Sequence, residues 1–218
     1  MPKISQALAN QPSTRRPRRI VTVSGRGVRG RFPSRKSPTP AQFESLVEEM
    51  ALRFLEAAPS VKSLATQPRV FEYTDGARRR RHTPDVEIEI EIESETTHET
   101  AFLEVKDDRK FTANSEAATR LRAALPYLRQ CGHRLHIVFR SDLVMNNLQG
   151  QLVLLLRMRP LRGRYRPAID ASLWDPENGT LPSADIQQQW EDAKRQCDDL
   201  LSRIMNRDPD DFLSVSGR

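Results

Sequence analysis

The sequence predicts an α/β fold in which a mixed β-sheet core is flanked by helices, and three stretches carry that prediction. From Val86 to Glu93 the chain alternates strictly, Val86, Ile88, Ile90 and Ile92 against Glu87, Glu89, Glu91 and Glu93, which is the period of a half-buried strand. Ser94 to Glu99 holds no apolar residue, so it reads as a turn that sends Ala101 to Lys106 back along the first strand. Apolar residues at helical spacing occur before and after this hairpin, so the order is helix, strand, then β-β-α-β.

The chain has 218 residues, enough for one moderate domain with an appendage or for two small ones. Residues 1–38 are rich in Arg, Pro, Ser and Gly and predict a disordered basic arm headed by Arg15, Arg16, Arg18 and Arg19. Within it, Ile20 to Val23 could form a short strand. The net charge of +6 hides an asymmetry: residues 1–40 carry ten Lys or Arg and no acid, leaving 25 basic and 29 acidic residues in the other 178. Such an arm suits DNA or an acidic partner, or serves only as a solubilising tail.

A core is predicted over residues 39–145. Thr39 and Pro40 read as the cap and first turn of a helix running to about Ala58, with Phe43, Leu46, Val47, Met50 and Phe54 as its apolar stripe. Glu49, Arg53 and Glu56 read as a solvated edge. Glu48 instead faces Ala51, Leu52 and Leu55, an apolar margin where a carboxylate needs a partner; a metal ion is one candidate and a plain helix-surface acid the other. Glu44, one turn earlier, could share the task.

Pro59 breaks this helix, Val61 to Leu64 is extended, and Arg69 to Tyr73 is a strand turning at Asp75-Gly76. Arg78, Arg79, Arg80 and Arg81 follow, either a solvated turn or a grip on a phosphate backbone. His82 could contact phosphate, join a metal shell or be structural. A helix from about Ser115 to Cys131, kinked at Pro126 and ended by Gly132, leads to a buried strand, Leu135 to Phe139. Residues 146–218 read as a small helical region, with helices at Asn147–Met158 and about Ser183–Asn206. The stripe of the second, which includes Trp190, Cys197 and Leu201, is core or a partner surface.

Cys131 and Cys197 offer no metal-binding spacing, so a reduced cytoplasmic setting is expected. No apolar run approaches the roughly twenty residues of a membrane span, and no secretory signal is visible.

The chemistry gathers at His82-Thr83-Pro84-Asp85 and Glu104-Val105-Lys106. Hairpin pairing returns Asp85 to the neighbourhood of Glu104 to Lys106, and Glu104 and Lys106 share a face because they are two apart. Two converging carboxylates suit magnesium, and a lysine beside them can orient or deprotonate a water while offsetting charge building on a phosphate. The Glu-x-Lys triplet alone also describes a solvated ion-pair face.

The order Phe43-Glu44-Ser45-x-x-Glu48, Val61, Gln67-Pro68, His82-Thr83-Pro84-Asp85 and Glu104-Val105-Lys106, with Gly30-Arg31-Phe32-Pro33-Ser34-x-Lys36 ahead of it, resembles the TnsA-type endonuclease subunit of heteromeric cut-and-paste transposases over about residues 28–150. The resemblance implies a restriction-endonuclease-like core of the PD-(D/E)xK superfamily that nicks DNA at the 5′ ends of a transposon. It implies Mg2+, with Mn2+ able to substitute, held by Glu48, Asp85, Glu104 and the Val105 carbonyl, while Lys106 positions the attacking water. Gln67 would be structural or would support the metal ligands from behind. The implied partners are transposon-end DNA, an integrase-like transposase subunit of the TnsB type and an ATPase regulator of the TnsC type, which residues 146–218 could contact. The alternatives are a stand-alone restriction or repair nuclease of the same fold, and a non-catalytic DNA-binding assembly protein.

Overall fold

A computed structural model describes residues 28–76, 78–91, 98–158 and 184–213. It is a mixed α/β structure built on one four-stranded mixed sheet. Strands β3 (Val61–Thr66), β6 (Val86–Glu91), β7 (His98–Lys106) and β8 (Arg134–Phe139) lie side by side in that order. The first three are antiparallel neighbours, and β8 runs parallel to β7, with Glu104 opposite Ile137. A parallel neighbour needs a crossover, which helix α2 (Glu116–Gln130) supplies. Two further hairpins, β1 (Gly30–Phe32) with β2 (Ala41–Phe43) and β4 (Phe71–Asp75) with β5 (Arg78–His82), stand beside the sheet.

The two faces of the sheet build two cores because neighbouring residues on a strand point opposite ways. Leu103, Val105 and Val138 join Ala51, Leu52, Phe54 and Leu55 of helix α1 (Leu46–Ala57) on one side. Phe102, Ile137 and Phe139 meet Leu121, Leu125 and Leu128 of α2 on the other. Short helices α3 (Arg140–Leu143) and α6 (Asp210–Leu213) were not foreseen from periodicity, being about one turn long.

Helix α1 starts later than Thr39 and Pro40 predict. Ser45 is the N-cap, its hydroxyl accepting from Glu48 N at 3.1 Å, while Ala41 to Phe43 are strand β2. Phe43 therefore belongs to the small hairpin, where its ring lies against Gly30 so closely that a Cβ there would fall 2.3 Å from Phe43 Cζ. Glu56 is not on a solvated edge. It is 1% exposed and is held by Ser34 Oγ at 2.6 Å and Arg35 N at 2.9 Å. Beside it, the Lys36 ammonium donates to the carbonyls of Leu55 and Ala58 at the end of α1, and burial pulls its pKa down to about 8. A buried carboxylate needs donors, and these are what draw residues 34–36 into the packed body, so the arm boundary at 38 is too late. Arg15, Arg16, Arg18, Arg19 and Ile20 to Val23 lie outside the described residues.

One other expectation shifts. Arg78 to Arg81 form a strand rather than a turn, paired residue for residue with Glu72 to Asp75. Helix α2 runs through Pro126 to Gln130 and is capped by Cys131; Gly132 follows at φ +76°, the left-handed conformation glycine tolerates best, and stops the helix as expected.

The described residues beyond 146 pack into the same body as the sheet. Helices α4 (Leu148–Met158) and α5 (Ala184–Met205) put Leu152, Leu155, Trp190, Cys197 and Leu201 into the same core as α1 and the sheet. Asp198 accepts from Ser60 at 2.6 Å, and Arg207 grips Asp142 with two bonds of 2.7 and 2.8 Å. The buried stripe of α5 is thus core. Trp190, 3% exposed, gives a test of this unity. Trp190→Ala should lower the unfolding free energy in urea by about 3 kcal/mol and leave one cooperative transition; separate unfolding of the helices and the sheet would refute it.

Candidate active site

Asp85 precedes the first residue of β6, and the Val86–Leu103 pairing sets it across from the end of β7. Val105 N donates to Asp85 Oδ2 at 2.7 Å. The backbone of Asp85 is also held, because its carbonyl accepts from Gln67 N at 2.9 Å. Gln67 adopts φ +45° to reach it, a left-handed conformation that costs a non-glycine residue on the order of 1 kcal/mol. Gln67 therefore acts on the site through its backbone.

Glu104 and Lys106 lie on one face of β7, as their spacing predicts. The Lys106 ammonium contacts Glu104 Oε1 at 2.5 Å, the Val105 carbonyl at 3.2 Å and Asp85 Oδ2 at 3.7 Å. On the far side of the same carboxylate, His82 Nε2 stands 3.5 Å from Glu104 Oε2.

Glu48 enters from α1. Its carboxylate accepts from Glu44 N at 2.7 Å and Ser45 Oγ at 2.9 Å, so it serves as the reciprocal partner of the Ser45 cap. Glu44 lies ahead of the helix rather than a turn along it; its carboxylate faces Arg29 at 3.8 Å, and only its amide serves Glu48. The spacing Ser45-x-x-Glu48 announces this box, and reading the helix from Pro40 obscured it.

The charges act on one another. Burial, then the charge of Glu104, pushes Asp85 up to about 7. Burial, then Asp85, raises Glu48, and burial raises Glu104 with Glu48 adding to it. Burial alone would depress Lys106, but Glu104 and Asp85 outweigh it and hold the amine above its ordinary value, so it is an ammonium at neutral pH. Burial pulls His82 down to about 4, leaving a neutral imidazole.

The remaining glutamates of β6 have other work. Glu87 takes two bonds from Arg69 at 2.7 and 3.0 Å, Glu89 accepts from Ser63 at 2.6 Å, and Glu91 pairs with Lys62. The arginines of β5 lie beyond His82 along the same hairpin. Arg81 and Arg79 reach Glu72 at 3.0 and 3.4 Å, and Arg80 reaches Asp75 at 3.5 Å. Arg79, Arg80 and Arg81 line an open groove of about 480 Å³ with Glu72, Tyr73 and Arg120. Arg120 belongs to α2, and no local pattern in the sequence ties it to the hairpin.

The donors facing Lys106 are carboxylate and carbonyl oxygens, a set that suits a hard divalent cation. Among the described residues, no three acidic, imidazole or thiol side chains surround one point as placed. A cation is nevertheless already bound by these oxygens, since the Lys106 ammonium touches Glu104, Asp85 and the Val105 carbonyl together. The residues fit Mg2+ by the chemistry of this all-oxygen donor set. No protein-family model matches the chain, and no curated protein matches it either.

Asp85 provides a pH test. Its folded pKa lies above the ordinary 3.8, so its charge costs stability as pH rises from about 4 to above 7, by up to about 4 kcal/mol for a rise to about 7. Asp85→Asn should therefore melt at a higher temperature than the parent at pH 8 without divalent ions, with the gain shrinking as pH falls and vanishing only below about pH 4. A gain independent of pH would contradict the raised pKa.

Proposed function

We propose that the chain is a Mg2+-dependent DNA endonuclease with a restriction-endonuclease-like core, acting as the subunit of a heteromeric cut-and-paste transposase that nicks at the 5′ ends of the element. The observation that carries this reading is the convergence of Asp85, Glu104, the Val105 carbonyl and the Lys106 amine at the end of one hairpin, with the charge of Glu48 reaching them from α1. The sheet supports the same reading, with three antiparallel strands followed by a parallel fourth reached through a helix.

Glu48, Asp85, Glu104 and the Val105 carbonyl would hold the metal. Bound there, it would polarise the scissile phosphate and lower the pKa of an attendant water. Asp85 is kept in place by the Val105 amide, and Glu48 by its cap, so neither carboxylate has to be ordered when substrate arrives. Lys106, charged and held among the acids, is a donor rather than a base; it orients the water and offsets negative charge growing on the phosphate. Phosphodiester hydrolysis at this centre would leave a 5′-phosphate and a 3′-hydroxyl. The arginines of β5 run outward from His82 and would hold the DNA backbone alongside.

Asp85→Ala should abolish 5′-end nicking by the assembled transposase on transposon-end DNA, and Lys106→Ala should reduce it by about a hundredfold or more, with both proteins folded by circular dichroism. Undiminished nicking by either variant would sink the assignment. Nicking of plain plasmid by the isolated chain would replace the transposase subunit with a stand-alone nuclease.

A further inference from the structure

Two buried polar atoms at this centre have no hydrogen-bond partner: His82 Nε2 and Glu104 Oε2. They face each other at 3.5 Å, on side chains 10% and 9% exposed. Leaving a buried polar atom unsatisfied costs about 1–3 kcal/mol, so two of them across one gap call for a third group between them. The separation exceeds the roughly 2.7–3.2 Å of an N–H···O bond. Donors bound to a common ion at about 2.0–2.2 Å, by contrast, stand roughly 3–4 Å apart.

The placement of the imidazole follows from the fold. His82 is the last residue of β5 and pairs with Phe71, whose ring meets that of Phe102 edge-on at 5.3 Å. Phe102 is two residues before Glu104 on the same face of β7, so one aromatic contact sets the histidine beside the carboxylate. Glu104 is thereby divided: Oε1 belongs to the Lys106 side, with Asp85 and the Val105 carbonyl, and Oε2 belongs to His82.

Resting on the nuclease reading, we propose that His82 Nε2 and Glu104 Oε2 form a nitrogen-containing cation position beside the all-oxygen one, selective for a first-row transition ion over Mg2+. Imidazole is a good ligand for such ions and a poor one for magnesium, which prefers oxygen donors and retains its waters. Glu104 bridges the two positions, and His82 makes the second different in kind.

The test is pulsed electron paramagnetic resonance of Mn2+ added to the full-length protein, unlabelled and with 15N-labelled histidine, paired with calorimetric titrations of Mn2+ and Mg2+. The parent should show a nitrogen coupling that changes isotope with the label. His82→Gln and His82→Ala should lose that coupling and bind the tightest Mn2+ about tenfold or more weakly, with Mg2+ affinity unchanged within twofold. Bound Mn2+ without histidine nitrogen coupling in the parent would overturn the proposal, whatever the variants do. Asp85→Asn separates the two readings: Mg2+ binding lost in that variant, with no nitrogen coupling in the parent, removes only the His82 position. Mg2+ binding unaffected by Asp85→Asn, with the coupling present, removes the nuclease assignment and leaves the His82 position standing.

Discussion

Asp85 and Glu104 are withdrawn from water close together, at the end of the β6–β7 hairpin away from its turn, and the Lys106 ammonium is the cation that makes their proximity tolerable. Charged carboxylates brought side by side at low dielectric repel strongly, and without a counter-ion they take up protons instead. Much of the surrounding structure serves this one arrangement. The Val105 amide fixes Asp85, the left-handed Gln67 fixes the Asp85 backbone, and the strand period carries Glu104 and Lys106 to one side.

The same constraint separates acids whose partners are complete from those whose partners are not. Glu56 is more deeply buried than Glu48, yet Ser34 and Arg35, from the segment joining β1 to β2, supply its donors. Asp142 is likewise answered by Arg207. Glu87, Glu89 and Glu91 each find a partner on a neighbouring element. Glu104 is only half answered, since one oxygen has Lys106 and the other faces His82 without a hydrogen bond. Burial alone does not mark a reactive carboxylate; burial with an incomplete set of partners does.

What could be read in the sequence followed the strength of its local periodicity. The strict alternation from Val86 onward has only one structural meaning, so the hairpin, the side taken by Glu104 and Lys106 and the nearness of Asp85 were all legible. Helix α2 and the last long helix were legible for the same reason, and β8 was legible as a buried strand from its apolar run, whereas its parallel pairing with β7 was not. The start of α1 was not, because Thr39-Pro40 imitates a helix opening while Ser45-x-x-Glu48 performs it. The partners of Glu56, the approach of Arg120 to the arginine hairpin and the meeting of His82 with Glu104 are made by tertiary packing between residues 20 or more apart, and no local pattern announces such contacts.

The hairpin register has a consequence for how this centre can drift through mutation. Asp85 and Glu104 meet because six consecutive pairs, Val86–Leu103 to Glu91–His98, stay in step. One residue inserted within either strand would invert every side chain beyond it and carry the acid to the opposite face. Length added between residues 91 and 98 leaves those pairs untouched. The interval between the Pro-Asp and Glu-x-Lys segments is therefore elastic at its middle and rigid at its ends, and recognition by a fixed gap will overlook proteins that keep the chemistry intact.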